Sequence, residues 1–235
     1  MKFPRSLIIV AVFLALWNEP ARAQIEVAGS AAILDKLRLN RGIEGKDNTF
    51  YEDIIGDPFI FKDFHEGTLY IEPEGKYNVN IRYDIYANQM HLKDSNMIYA
   101  IIHPGKVKLI EAGAYKFLYS VYGNSPDDTE PAHSSYFIIR EEGKCMLLIK
   151  KSIRVQDAEP PKLYQEAKPP KFVATADTYF LKAEGKRAVR IRNKKDLLTV
   201  LADKYDAIDS YISSNKLGVK DIEDLAKIVS YYNSL

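Results

Sequence analysis

The middle of this sequence is dominated by a strict alternation. Tyr77, Val79, Ile81, Tyr83 and Ile85 share one parity, and Asn78, Asn80, Arg82, Asp84 and Tyr86 share the other. Successive side chains of a strand point to opposite faces, so this segment reads as a strand with one buried and one wet face, as antiparallel sheets allow. Ala87-Asn88 supplies a turn, after which Met90 and Leu92 resume the apolar set. Residues 107–110, then Ala112-Gly113, then Tyr115, Phe117, Tyr119 and Val121 repeat the pattern as a second hairpin. A third hairpin, residues 136–139 and 145–149 around Glu141-Glu142-Gly143-Lys144, is apolar at both parities. Such strands need cover on both faces.

The last forty residues change period. Asn193 with Asp196 three positions later forms an N-cap signal. Leu197, Leu198, Leu201, Tyr205, Ile208, Tyr211 and Ile212 fall on one helical face. Asn215 and Gly218 mark a stop, and Ile222, Leu225, Ile228, Val229 and Tyr232 make the apolar side of a second helix. The expected fold class is α+β: an antiparallel β-meander sheet followed by a C-terminal α-helical hairpin packed on its two-sided strands.

Between these regions, residues 156–173 carry two charged, proline-paired stretches, Ala158-Glu159-Pro160-Pro161-Lys162 and Lys168-Pro169-Pro170-Lys171. They read as a connector with an extended polyproline-II path. A short hairpin then spans residues 179–183 and 188–191, with its relation to the main sheet left open. Residues 24–49, with Gly42, Gly45 and Lys46-Asp47-Asn48, read as a flexible lead-in. The expected organisation is therefore residues 50–155 as sheet, 156–173 as connector, and 174–235 as hairpin plus helices, forming one globule with the sheet.

Residues 1–23 look like a secretory signal peptide. Lys2 and Arg5 precede the unbroken apolar stretch from Leu7 to Trp17, and Ala21-Arg22-Ala23 fits a cleavage site. Eleven apolar residues are too few to span a bilayer as a helix. Cleavage would leave Gln24 at the new N-terminus and a nearly neutral mature chain, expected to be secreted and periplasmic. With Lys+Arg 33 against Asp+Glu 32, the composition argues against a phosphate-neutralising nucleic-acid binder. A lone cysteine excludes a disulfide framework and a thiolate zinc site.

Gly67-Thr68-Leu69-Tyr70, the run Asn80 to Lys93, the Ala158-Glu159-Pro160-Pro161-Lys162 stretch and the ending NKKDLL…YYNSL together resemble secreted or periplasmic proteins widespread in Bacteroidota. The resemblance covers roughly residues 50 to 235. It implies export and architecture, and brings with it no activity, cofactor or site residue.

Candidate chemistry is sparse. His65, His91, His103 and His133 show no metal-ligand spacing, although a sheet can unite His91 and His103 with a carboxylate. His133 and Cys145 are a conceivable thiol–imidazole pair, which the apolar surroundings of Cys145 oppose. Asp127, Asp128 and Glu130 form an oxygen-rich loop without the alternating spacing of a calcium site. Ten of the sixteen tyrosines fall between residues 51 and 136. Tyr86 and Tyr122, on the wet parity, join Arg82 as the candidate binding residues. No cofactor is called for. The expectation is a non-catalytic exported protein that binds or supports another cell-envelope component, a protein, through its sheet face. The alternative is a small-ligand binder or hydrolase with its site between sheet and helices.

Overall fold

The computed structural model describes residues 40–43, 51–73, 75–95, 97–126, 131–161 and 166–235. The expected signal peptide and the Asp127, Asp128 and Glu130 loop lie outside the described residues. The fold is α+β, mostly antiparallel strands with helices at the C-terminus. One half is the expected meander, built from β2 (His65–Ile71), β3 (Gly75–Asp84), β4 (Gln89–Asp94), β5 (Met97–Ala100), β6 (Val107–Ala112) and β7 (Tyr115–Gly123). Its order is β5-β4-β3-β2-β6-β7. From within the lead-in, β1 (Asn40–Ile43) pairs antiparallel with β5 and forms the outer edge.

The other half corrects the expectation of a simple meander. It uses β8 (His133–Glu141), β9 (Cys145–Lys150), β12 (Thr178–Ala183) and β13 (Ala188–Arg190). The sheet continues β7-β13-β12-β9-β8, and β8 pairs back onto β7, closing a five-strand barrel. Closure depends on how β7 shares its edges. One edge pairs with β8 along Phe117–Tyr122. The other is divided: β6 takes Tyr115–Phe117 and β13, running parallel, takes Tyr122–Gly123. The short hairpin of uncertain placement is thus the piece that closes the ring.

Closure also explains the two-sided apolar strands. Leu118 and Tyr122 of β7, Phe137 and Ile139 of β8, Met146 and Leu148 of β9, Phe180 of β12 and Ala188 of β13 form one cluster drawn from all five strands, which is the barrel interior. The opposite parity of β7 and β8 (Phe117, Tyr136, Ile138) joins Leu69, Ile81, Tyr83, Met90 and Leu92 in the meander core. The opposite parity of β9 and β12 (Cys145, Leu147, Leu181) packs under the helices, as expected. Three apolar clusters therefore share a few strands, each using one face.

The helical hairpin is three helices rather than two: α1 (Lys194–Val200), α2 (Tyr205–Asn215) and α3 (Ile222–Ser234), with a 3-10 turn at Ala202–Lys204 between the first two. Asn193 caps α1 by accepting from the Asp196 N–H at 3.0 Å. The 3-10 turn carries Asp203, whose carboxylate accepts from the Tyr232 hydroxyl at 3.0 Å and ties α3 to the bend. At the end of α3, the Asn233 side chain pairs with Cys145 like a strand: Oδ1 accepts from its N–H and Nδ2 donates to its carbonyl, both at 2.9 Å. Gly143 makes room for this contact, since a Cβ there would lie 2.4 Å from Asn233 Nδ2.

The segment expected to be an extended connector instead has described ends that pair as a hairpin. β10 (Ile153–Gln156) pairs antiparallel with β11 (Lys171–Ala174), and Glu159 and Lys168 exchange backbone hydrogen bonds of 2.9 and 3.0 Å beyond them. The paired prolines sit on its two arms, where the missing N–H groups blunt an edge that would otherwise recruit strands. Phe172 docks the hairpin onto the body, stacking edge-on against Tyr51 and Tyr86 at centroid distances of 5.2 and 5.3 Å.

Candidate functional site

Arg82, one of the three sequence-derived binding residues, is not where a wet sheet face would put it. Beyond Ile81, β3 has outrun β2, and residues 58–60 take the vacated edge: Ile60 donates to Tyr83 O at 3.0 Å and Ile85 to Pro58 O at 2.9 Å. That segment lays Phe59 and Phe64 over Arg82, with the guanidinium 3.7 and 4.4 Å from the ring centroids. Arg82 is only 3% exposed, so the alternation correctly marks its parity but the face is covered. Asp84 is buried beside it, accepting from the Tyr51 hydroxyl and the Ala87 N–H, each at 2.8 Å. Burial holds its carboxyl above the usual range despite these donors. His91, cross-strand from Arg82, is held neutral down to about pH 4 by burial and by that guanidinium. Tyr86 is 46% exposed, but its ring is engaged by Tyr51 and Phe172.

The histidines do not converge. His91 is buried in β4, and His103 is exposed ahead of β6. Among the described residues, no group of three or more His, Cys, Asp or Glu side chains is placed to hold a metal. His133 and Cys145 begin β8 and β9, antiparallel neighbours, and so lie at opposite ends of the pair. Burial pushes the Cys145 thiol up to about 12, which makes it a core residue.

Tyr122 leads to the most distinctive site. Strand directions around the ring place the end of β7, the start of β8, the ends of β9 and β13 and the start of β12 at one mouth of the barrel. Those termini carry Tyr122, His133, Lys150, Arg190 and Thr178. Tyr122 forms the floor: its half-buried ring stacks edge-on against Phe137 at 5.6 Å and Phe180 at 5.2 Å. His133 lies 5.5 Å from that ring, and the Lys150 ammonium sits 6.0 Å from its centroid. Burial, and then the Arg190 charge, lower the Lys150 pKa. Burial raises the Tyr122 phenol, with Arg190 opposing.

The neighbouring cations are compensated. Lys151 pairs with Asp177 at 2.7 Å, and Arg192 with Asp196 at 3.0 Å. Among the described residues no carboxylate pairs with Lys150 or Arg190. Two like charges drawn together over an aromatic floor make a place where a negative group lowers the energy. Sequence reading reached Tyr122 but neither cation, because Lys150 and Arg190 are forty residues apart and share a face only through the pairing of β12 with both β9 and β13.

A separate cleft of about 410 Å³ lies between the β12–β13 turn and α1, lined by Gly185, Lys186, Arg187, Thr199 and Val200 among others. No helix among the described residues is long and apolar enough to cross a membrane. No protein-family model, curated protein or solved structure matches the chain.

Proposed function

We propose that this is an exported, non-catalytic binding protein of the cell envelope that engages its partner at the barrel mouth rather than across the meander face. The observation that carries the reading is the pairing of Lys150 and Arg190 beside Tyr122 and His133, without a counter-charge among the described residues. Export rests on the leader-like residues 1–23, and N-terminal sequencing of the mature protein should begin at Gln24.

The test is site-directed photo-crosslinking in intact cells, with the reactive residue at His133 in the mouth or at Thr68 on the exposed meander face. A discrete adduct from His133 and none from Thr68 supports the reading. An adduct from Thr68 alone overturns it in favour of the sheet face. A second reading, a small-ligand site between sheet and helices, is favoured by the cleft at Lys186, Arg187 and Thr199. It predicts that filling the cleft with Thr199→Trp abolishes binding while the mouth adduct persists.

A further inference from the structure

We infer that the barrel mouth is a binding site for a phosphoryl group, held between the Lys150 ammonium and the Arg190 guanidinium above the Tyr122 ring. This deepens the reading of the mouth as the binding site and rests on it. The two cations reach the same space through β12: Lys150 is cross-strand from Thr178, and Arg190 from Phe180. In β9, β12 and β13 these positions continue the interior parity of Met146, Leu148, Phe180 and Ala188. Both side chains therefore rise from the rim of the interior rather than from the outer wall.

The chemistry favours a doubly charged oxyanion. A guanidinium offers two parallel N–H donors to two oxygens of one anion, and an ammonium adds a compact point charge. Among the described residues neither positive group has a carboxylate partner, which leaves about two charges for a ligand to match; a phosphate monoester or inorganic phosphate supplies them and a carboxylate supplies only half. The floor of Tyr122, Phe137 and Phe180 excludes water from beneath and strengthens both attractions. Burial first, and then the Arg190 charge, lower the proton affinity of Lys150, and an anion would relieve the second of these.

The test is a titration followed by amide NMR shifts and thermal melting, with inorganic phosphate, glycerol 3-phosphate or acetate as probe at constant ionic strength in chloride. Saturable shifts should centre on Tyr122, His133, Lys150, Thr178 and Arg190, with phosphate or its ester binding about tenfold or more tightly than acetate. Equal affinity for the two phosphates identifies the free anion as sufficient; tighter binding of glycerol 3-phosphate identifies an ester. Lys150→Gln and Arg190→Gln should each weaken binding about tenfold, whereas Lys151→Gln, which breaks only the pair with Asp177, should leave it unchanged. Phosphate should also raise the melting temperature of the unaltered protein, a readout that needs no variant to fold.

Absence of saturable shifts and of any melting increase overturns the inference, as does binding that survives both Gln substitutions. If phosphate fails while the His133 crosslink persists, the mouth remains the binding site and only the phosphoryl assignment is lost.

Discussion

Asn88 latches the meander onto the barrel, and removing its side chain should cost more than any exposed turn residue would. Its Oδ1 accepts from the Tyr83 hydroxyl at 3.0 Å, the Ser135 hydroxyl at 3.0 Å and the Tyr136 N–H at 3.2 Å. The last bond exists because β9 pairs with β8 only from Ile138 onward, which leaves the Tyr136 N–H without a strand partner on that edge. Ser135 has a fallback in Tyr136 O at 3.2 Å. The Tyr136 N–H and the buried Tyr83 hydroxyl would be orphaned, at about 1–3 kcal/mol each if no water reaches them. Asn88 also has φ 54°, a left-handed conformation that costs an alanine about 1–2 kcal/mol more than a glycine. Asn88→Gly should therefore lose about 2–6 kcal/mol, and Asn88→Ala about 1–2 kcal/mol beyond that. Urea unfolding of the two variants beside the parent measures both steps. If Asn88→Ala stays within about 0.5 kcal/mol of the parent, the latch has no weight; if the two variants coincide, the backbone part of the reasoning is wrong.

Other consequences can be measured on the same protein. His91 titrates near 4 in the folded state against 6.5 unfolded, so the unfolded chain binds the extra proton between those values and stability falls as pH drops from 6.5 towards 4. The loss amounts to about 3 kcal/mol and should be absent from His91→Gln; the raised Asp84 carboxyl works in the opposite direction but is common to both proteins. Cys145 should resist a thiol-specific reagent at pH 8 in the native state and react stoichiometrically in denaturant, and rapid native labelling would contradict its place under the helices. Asn233→Ala should remove about 2 kcal/mol by stripping both bonds from Cys145, read as an equal loss in chemical denaturation followed by helical and by tyrosine signals. An unchanged midpoint would mean that α3 is held by its apolar face alone.

Local patterns in the sequence reported what each strand and helix needs, and they did so accurately where one neighbour satisfies each face. The three hairpins, the Asn193 cap and the helix stop, which falls on Lys216 with φ 54°, are all of this kind. Alternation failed at Arg82 and Asp84 because a polar residue on the outer parity says only that the sheet core lies elsewhere. Whether another segment then covers it depends on where β2 ends and where residues 58–60 enter, and neither is encoded near Arg82.

Closure was illegible for a related reason. The apolar residues at both parities of β8 and β9 demand two covers, and helices alone could have met that demand. In the structure they meet half of it, and the strands cover one another for the rest. What decides between these outcomes is the division of one edge of β7 between β6 and β13, a pairing across some seventy residues of sequence. The candidate site inherits that non-locality. Tyr122 stood out because tyrosines are numerous enough to invite attention, whereas Lys150 and Arg190 are ordinary strand-end cations until β12 pairs with both of their strands. The pairings of β12 with β9 and β13 bring the two cations to one face, and the β13–β7 pairing sets Tyr122 beside them, so the strands that build the ring also build the site.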